Sequence, residues 1–287
     1  MLSIYKRELR SYFTGVMGYL VVAVMLLFAG IYVSIINLTN AYPTFEFTLY
    51  NLDYLYLILV PIVTMRIFAE DRRRHTTELL YSLPLRLSSV VLGKYLALLT
   101  VLAIPCAVYC CFPALFSLYG AVDLATSYSS IFAFFLMGAS LLAIGMFLSS
   151  LTESQLIAAV LSFGAVLLSY LMASLTAYLP ASAYGSLCCF VVVILLGAVL
   201  VRALTKSTFF AACCAIAAEL ALAAVYICKA SLFEGLFAKF LSALSVYSRY
   251  ENFMKGLFDL TGVVYYLSVI ALFLFFSTLS LEKRRWS

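Results

Sequence analysis

Charge is scarce in this chain. Of 287 residues, 11% are charged and 66% are hydrophobic, whereas soluble domains run at about 25% charged and about 45–50% apolar. A water-soluble globule of this size could not cover so much apolar surface. Its solvent is therefore mostly lipid, which excludes a soluble enzyme, a disordered chain and a nucleic-acid-binding domain. Histidine occurs once, at His75, so no Cys/His metal site is expected. The cysteines (Cys106, Cys110, Cys111, Cys188, Cys189, Cys213, Cys214 and Cys228) lie in or beside apolar runs and read as small packing residues. No phosphate-binding loop is present: Leu92-Gly93-Lys94 has the end of one, but no glycine stands five residues before Gly93. Gly-x-Ser-x-Gly, zinc-protease signatures and intramembrane Asp/Asp or Ser/His pairs are missing too. The chain is thus not expected to be an enzyme, and no cofactor is expected in it. Strict apolar–polar alternation is lacking, which disfavours an outer-membrane barrel. No cleavable signal peptide is expected, because the first apolar run is too long and lacks a small-residue cleavage site.

What the chain has is long uncharged runs, with the charges as punctuation. No charge lies between Arg10 and Glu46, Lys94 and Asp123, Asp123 and Glu153, or Asp259 and Glu282. A span needs about 20 apolar residues, so each interval holds one helix. The run from Glu153 to Arg202 is too long for one bilayer crossing and breaks at Ala177-Tyr178-Leu179-Pro180 and Tyr184-Gly185. The fold class is therefore all-α: a polytopic membrane helical bundle of eight spans, at 14–37, 50–69, 90–117, 127–150, 154–176, 185–203, 208–228 and 262–281. Lys6, Arg7, Arg10, Arg66, Arg72, Arg73, Arg74, Arg86, Lys94, Arg202, Lys206, Lys283, Arg284 and Arg285 then all fall on one side. The opposite loops at 38–49, 118–126 and 177–184 contain no Lys or Arg, and the 229–261 segment departs from the pattern with Lys229, Lys239, Arg249 and Lys255, offset by Glu234, Glu251 and Asp259. The positive-inside rule makes the first side cytoplasmic, with both termini.

Two stretches have amphipathic rather than spanning character. In 1–13, Leu2, Tyr5, Leu9 and Tyr12 follow helical spacing while Lys6, Arg7 and Arg10 point elsewhere, as in a helix lying on the inner interface. In 229–258, Leu232, Leu236, Phe240 and Leu244 recur every four residues, shadowed by Phe233, Phe237 and Leu241. This reads as an extracytoplasmic interfacial helix or a re-entrant element. The 66–87 loop combines Glu70 and Asp71 with the basic Arg72-Arg73-Arg74. A short helix start at Thr76-Thr77-Glu78-Leu79-Leu80 follows, with Leu83-Pro84 beyond its end. A charged, partly apolar hairpin of this kind suits docking of a soluble partner. Glu219 is the one carboxylate deep in an expected span and a candidate intramembrane functional residue.

The order of these parts resembles the membrane subunit of ABC-2-type ABC transporters. The run Glu70-Asp-Arg-Arg-Arg-His-Thr-Thr-Glu-Leu-Leu-Tyr-Ser-Leu-Pro84, followed by Val91-Leu-Gly-Lys-Tyr-Leu96, carries the likeness. Lys255-Gly-Leu-Phe-Asp-Leu260, Val264-Tyr-Tyr-Leu-Ser-Val-Ile-Ala-Leu-Phe-Leu274 and Leu281-Glu-Lys-Arg-Arg-Trp286 resemble its gliding-motility-associated branch. Such permeases usually have six spans, so the pair within 185–228 would be an addition to one permease domain over 1–287. The resemblance implies a multi-pass protein of the bacterial inner membrane, an exporter permease driven by a separate ABC ATPase subunit. ATP and Mg would be held on that subunit. A second permease subunit, identical or related, would complete the pair. By the same likeness the ATPase interface would comprise Glu70, Asp71, Arg72, Glu78, Leu79, Leu80, Leu83 and Pro84, braced by the N-terminal helix.

Two alternatives stand beside the exporter. One is an ATP-driven complex that passes force to an extracytoplasmic protein without moving substrate, and its mark would be a residue-filled interior. The other is an ATP-independent carrier that uses Glu219.

Overall fold

The computed structural model describes residues 1–40, 42–69, 87–176, 178–179, 182–205, 215–220, 222–223, 226 and 233–285. Among these there are helices and no strand. In chain order they are α1 (Leu2–Thr14), α2 (Val16–Tyr32), α3 (Phe45–Tyr50), α4 (Leu55–Thr64), α5 (Leu87–Tyr109), α6 (Cys111–Phe116), α7 (Leu124–Leu151), α8 (Gln155–Leu175), α9 (Ala183–Thr205), α10 (Leu236–Leu244), α11 (Tyr250–Met254) and α12 (Leu260–Arg285). Helix α2 continues as a π-helix over Val33–Thr39. The chain divides into two compact units, residues 1–170 with 249–287, and residues 171–248.

Five helical stretches are long and apolar enough to cross a membrane: Val16–Thr39, Leu87–Phe116, Leu124–Leu151, Gln155–Leu175 and Leu260–Lys283. Leu55–Thr64 and Ala183–Leu195 are shorter apolar helices. They correspond in order to seven of the eight expected spans. The eighth, 208–228, falls largely outside the described residues, although 215–220 are helical.

The second expected span, 50–69, is not one continuous helix. Helices α3 and α4 are joined by turns at residues 51–54. The backbone there tightens into i→i+3 bonds, Leu55 N to Leu52 O at 3.1 Å and Tyr56 N to Asp53 O at 3.2 Å. Asn51 caps the end of α3 by donating Nδ2 to Phe47 O at 2.7 Å. Hydropathy alone does not register this break, because a short polar turn inside an apolar run leaves the average high.

In the larger unit α7 is the central helix, the most buried of the five long apolar stretches. It packs most extensively against α12 and also meets α3, α4, α5 and α11. Its inner surface sets small residues, among them Ser130, Ala133, Gly138, Ala139, Ser140, Gly145 and Ser149, between large apolar ones such as Phe134 and Met137. Lipid offers helices no hydrophobic reason to associate, so close backbone approach and interhelical hydrogen bonds must hold them. Tyr56 donates its hydroxyl to Phe134 O and Tyr95 donates to Ala139 O, each at 3.0 Å. Outward faces carry large apolar side chains instead, such as Val160, Leu168, Leu267 and Phe275. Small residues where helices approach closely, with bulky apolar side chains facing outward, suit a lipid solvent.

Helices α7 and α12 are opened by the same device. Asp123 accepts from Ala125 N at 3.1 Å and Thr126 Oγ1 at 2.6 Å. Asp259 accepts from Asn252 Nδ2 at 3.0 Å and Thr261 N at 2.9 Å. The hydrogen bond from Asn252 is the first cause holding the Asp259 carboxyl below its ordinary pKa. A folded-state pKa below the unfolded value stabilises fully above the unfolded pKa, about 4, and that contribution fades as pH falls through the folded value. Thermal unfolding in detergent should therefore drop on acidification, and Asp259→Asn should show a shallower drop than the wild type. Parallel profiles would remove Asp259 from the acid response.

In the smaller unit, Phe190 of α9 is surrounded by Phe233, Phe237 and Phe240, with ring centroids at 6.4, 5.0 and 5.8 Å. The buried stripe of α10 is Phe237 and Leu241, while Leu236, Phe240 and Leu244 are exposed. Segment 229–258 is thus not one helix. It holds α10, a turn at 246–249, and α11, which belongs to the larger unit.

Candidate functional site

The expected partner-docking residues Glu70, Asp71, Arg72, Glu78, Leu79, Leu80, Leu83 and Pro84 lie outside the described residues. Both stems of that segment are described. One is the end of α4 with residues 65–69, and the other is the start of α5. A single side chain ties them together.

Lys94 lies about two turns into α5 (about 3.6 residues per turn) and is only 2% exposed. Its Nζ donates to Ile67 O at 2.8 Å and to Glu8 Oε1 at 3.1 Å. The same ammonium stands 5.4 Å from the centre of the Phe68 ring. One cation therefore binds the incoming stem through Ile67 and Phe68, the outgoing stem through its own helix, and α1 through Glu8. A buried ammonium is costly unless it is paired and hydrogen-bonded, and here its partners lie on two segments besides its own helix. Glu8 also accepts from Arg7 Nη2 at 2.7 Å.

The face of α1 follows from this knot. Ile4, Glu8 and Tyr12 stand one turn apart, and Ile4 and Tyr12 are buried. The expected stripe Leu2–Tyr5–Leu9–Tyr12 is rotated, with Leu2 67% exposed. Helix α1 packs on α5, and Gly93 makes room for it: a Cβ there would stand 3.2 Å from Ile4 Cβ and from Met1 O. Tyr5 Oη pairs with Thr100 Oγ1 at 3.0 Å, and Tyr12 donates to Val63 O at 3.0 Å. The incoming stem is fixed to α7 as well, since Phe68 N donates to Ser149 Oγ at 3.4 Å. The arrangement is built of contacts between segments and not around an open site. It is a mechanical joint in which α1, α4, α5 and α7 hold the two ends of the 70–86 segment.

Glu219 sits half-buried in helical residues 215–220, in the smaller unit, between the exposed Ile216 and Leu220. No hydrogen-bond or ion-pair partner for it occurs among the described residues. Sequence reasoning missed Glu8 altogether. Its only signal was an acid alone among the bases of an amphipathic helix.

A family model described as ABC-2 family transporter protein matches residues 28–232, well over half of the chain. The chain belongs to that family. It is accordingly a permease subunit of an ABC-type transporter, a multi-pass membrane protein. No curated protein matches it. The family match takes in the 70–86 segment, both its stems and Lys94. It ends before residues 255–286, on which the likeness to the gliding-motility-associated branch rests. Helix α1 of this ABC-2 permease also precedes the matched region, yet its Glu8 is joined to the matched Lys94.

Proposed function

We propose that this ABC-2 permease is the membrane half of an ATP-driven exporter in the bacterial inner membrane, with both termini cytoplasmic. The family match across 28–232 is the observation that carries this reading. A separate ABC ATPase subunit holds ATP and Mg and docks on Glu70, Asp71, Arg72, Glu78, Leu79, Leu80, Leu83 and Pro84. A second permease subunit, identical or related, completes the pair. The joint at Lys94 suits transmission, because a segment clamped at both stems passes its displacement to the helices as rigid-body movement. The resemblance carried by residues 255–286 supports, on this reading, membership of the gliding-motility-associated branch.

One observation supports a second reading. Between α2, α4, α5 and α7 the void lined by Val21, Met25, Tyr56, Leu98 and Leu142 measures about 20 Å³, room for about one water. Close packing between these four helices is what a force-transmitting complex with an extracytoplasmic partner needs. In the exporter reading the path runs between two subunits instead.

The test is gentle purification of the tagged chain from its own operon, with mass spectrometry and an ATP-turnover assay. An ABC ATPase should copurify, and Glu78→Arg should lower its stimulated turnover about tenfold, within the usual range of coupling between sites. A chain that comes out alone and inert while its neighbours are expressed overturns the proposal. Unchanged assembly and turnover in Glu78→Arg remove Glu78 from the interface.

A further inference from the structure

At the end of the larger unit away from Lys94, α3, the start of α7 and α11 enclose an open groove of about 730 Å³. This is within the range of small-molecule sites, about 300–1,000 Å³. Its polar lining is unbalanced in sign, with Glu46, Asp123 and Glu251 against Lys255. Phe47, Tyr50 and Met254 supply apolar wall.

The acids differ in what they are free to do. Asp123 spends both oxygens on the N-terminus of α7, accepting from Ala125 N, Thr126 N and Thr126 Oγ1. Glu251 is half exposed and lies 3.9 Å from Lys255, too far for a good charge-assisted hydrogen bond. Glu46 is different in kind. It is 6% exposed, and its Oε1 accepts from Ser127 Oγ at 2.5 Å. Its Oε2 is buried and has no hydrogen-bond partner among the described residues. A buried carboxylate oxygen left unpaired is expensive, and a cation delivered through the groove would satisfy it.

The surroundings hold Glu46 in place at that cost. The π-helical end of α2 puts Asn37 in the interior, where its Nδ2 donates to Tyr42 O at 2.7 Å and Thr44 O at 3.2 Å. Its Oδ1 accepts from Thr48 Oγ1 of α3 at 2.7 Å. Helix α3 is thereby fixed against α2. On the other wall Ser130 Oγ donates to Phe253 O at 3.2 Å, joining α11 to α7. Gly256, at φ +76°, then turns the chain beside Thr126, where a Cβ would stand 3.2 Å from Thr126 Oγ1. π-Helical turns are frequent at functional sites, and this one anchors the helix that bears the orphan oxygen.

We propose that this groove is a binding site for an ammonium-bearing organic ligand, whose charged nitrogen meets Glu46 and Glu251 while its apolar part lies on Phe47 and Tyr50. A bare divalent ion fits less well: among the described residues no three His, Cys, Asp or Glu side chains are grouped to hold a metal. Aromatic walls favour an organic cation, through contact of ammonium with ring faces. That the groove opens on the outer side, and that its occupant belongs to transport, rests on the topology proposed above. The ammonium could be that of a soluble amine or of a lipid headgroup.

The probe is 2-phenylethylamine, protonated at neutral pH, titrated calorimetrically into the full chain in phosphatidylglycerol nanodiscs. Saturable binding is expected, and the neutral 2-phenylethanol should not bind. Glu46→Gln should weaken the amine about tenfold or more, the size of one lost charge-assisted contact. Glu251→Gln, at a half-exposed position that does not threaten folding, should weaken it several-fold. Lys255→Gln should tighten it. Phosphatidylethanolamine in the nanodisc separates the sources: competition assigns the site to a lipid headgroup, and unchanged affinity assigns it to a soluble amine. Absence of saturable binding, equal binding of the alcohol, or indifference to both glutamate substitutions overturns the proposal. No ATPase is present in this assay, so its failure leaves the exporter reading standing, and loss of that reading leaves the binding result intact.

Discussion

Lys94→Met should cost the permease about 3 kcal/mol of stability, the lower end for breaking a buried ion pair. The lower end applies because Glu8 keeps Arg7 as a partner at 2.7 Å. Ile67 O is then left without its 2.8 Å donor, and an unsatisfied buried carbonyl accounts for about 1–3 kcal/mol of the loss. Lys94→Arg should recover only part of it. A planar guanidinium does not present three donors from one point as the ammonium does, and Ile67, Glu8 and the Phe68 ring converge on one point. Detergent-titrated unfolding of wild type, Lys94→Met, Glu8→Gln and the double variant measures the coupling. The double variant should be less destabilised than the sum of the singles by about 1 kcal/mol or more. Strict additivity would mean that the two side chains do not cooperate. In the complex proposed above, the same substitution should also lower ATP turnover that depends on the permease, since the 70–86 segment would keep its sequence but lose the fixing of its stems.

Gly138→Val should destabilise by a similar amount, about 3 kcal/mol, the upper end for forcing extra carbon into a filled core. A Cβ at 138 would stand 2.6 Å from Tyr56 Cζ and Oη. The ring cannot step aside. It is 1% exposed, lies against Phe134 with centroids 4.7 Å apart, and donates to Phe134 O. Helix α4 must therefore move off α7. Gly164 provides the control, with nothing within 4 Å of its Cβ position. Gly164→Ala should be neutral or stabilising by up to about 1 kcal/mol, the helix-propensity gain over glycine. Shortening the obstacle, as in Tyr56→Leu combined with Gly138→Ala, should restore part of the loss. If Gly138→Val and Gly164→Ala behaved alike, close approach of α4 would not be what position 138 requires.

The legible parts of this molecule are those that lipid dictates. Uncharged stretches bounded by Arg10, Lys94, Asp123, Glu153 and Asp259 became α2, α5, α7, α8 and α12, because a bilayer tolerates nothing else in that length. Helix α1 was legible as a helix, but not in its orientation. The stripe Leu2–Tyr5–Leu9–Tyr12 is the more apolar one, yet Ile4–Glu8–Tyr12 faces inward, because the partner that makes Glu8 acceptable there is 86 positions away. Glu46 looked like simple punctuation between two spans, since nothing local distinguishes a boundary acid from a buried one. The break at 51–54 was hidden by an apolar average. Lys94 stood in a Leu-Gly-Lys that marked the opening of a span, and Gly93 beside it is explained by the approach of α1. The family resemblance was carried by side-chain order within 70–96, a short-range pattern that survives without any knowledge of contacts.

The bond between Glu8 and Lys94 also sets an order of events during synthesis. Glu8 leaves the ribosome 86 residues before its partner. At about 5–20 residues per second, the wait is roughly 4–17 s. Until then the neighbouring Arg7 answers its charge, and the seat for Ile4 beside Gly93 on α5 does not exist. The first helix of the chain is therefore among the later elements to settle. Its docking is delayed until both stems of the 70–86 segment have been delivered, so that closure of the Lys94 joint reports a correctly inserted first half.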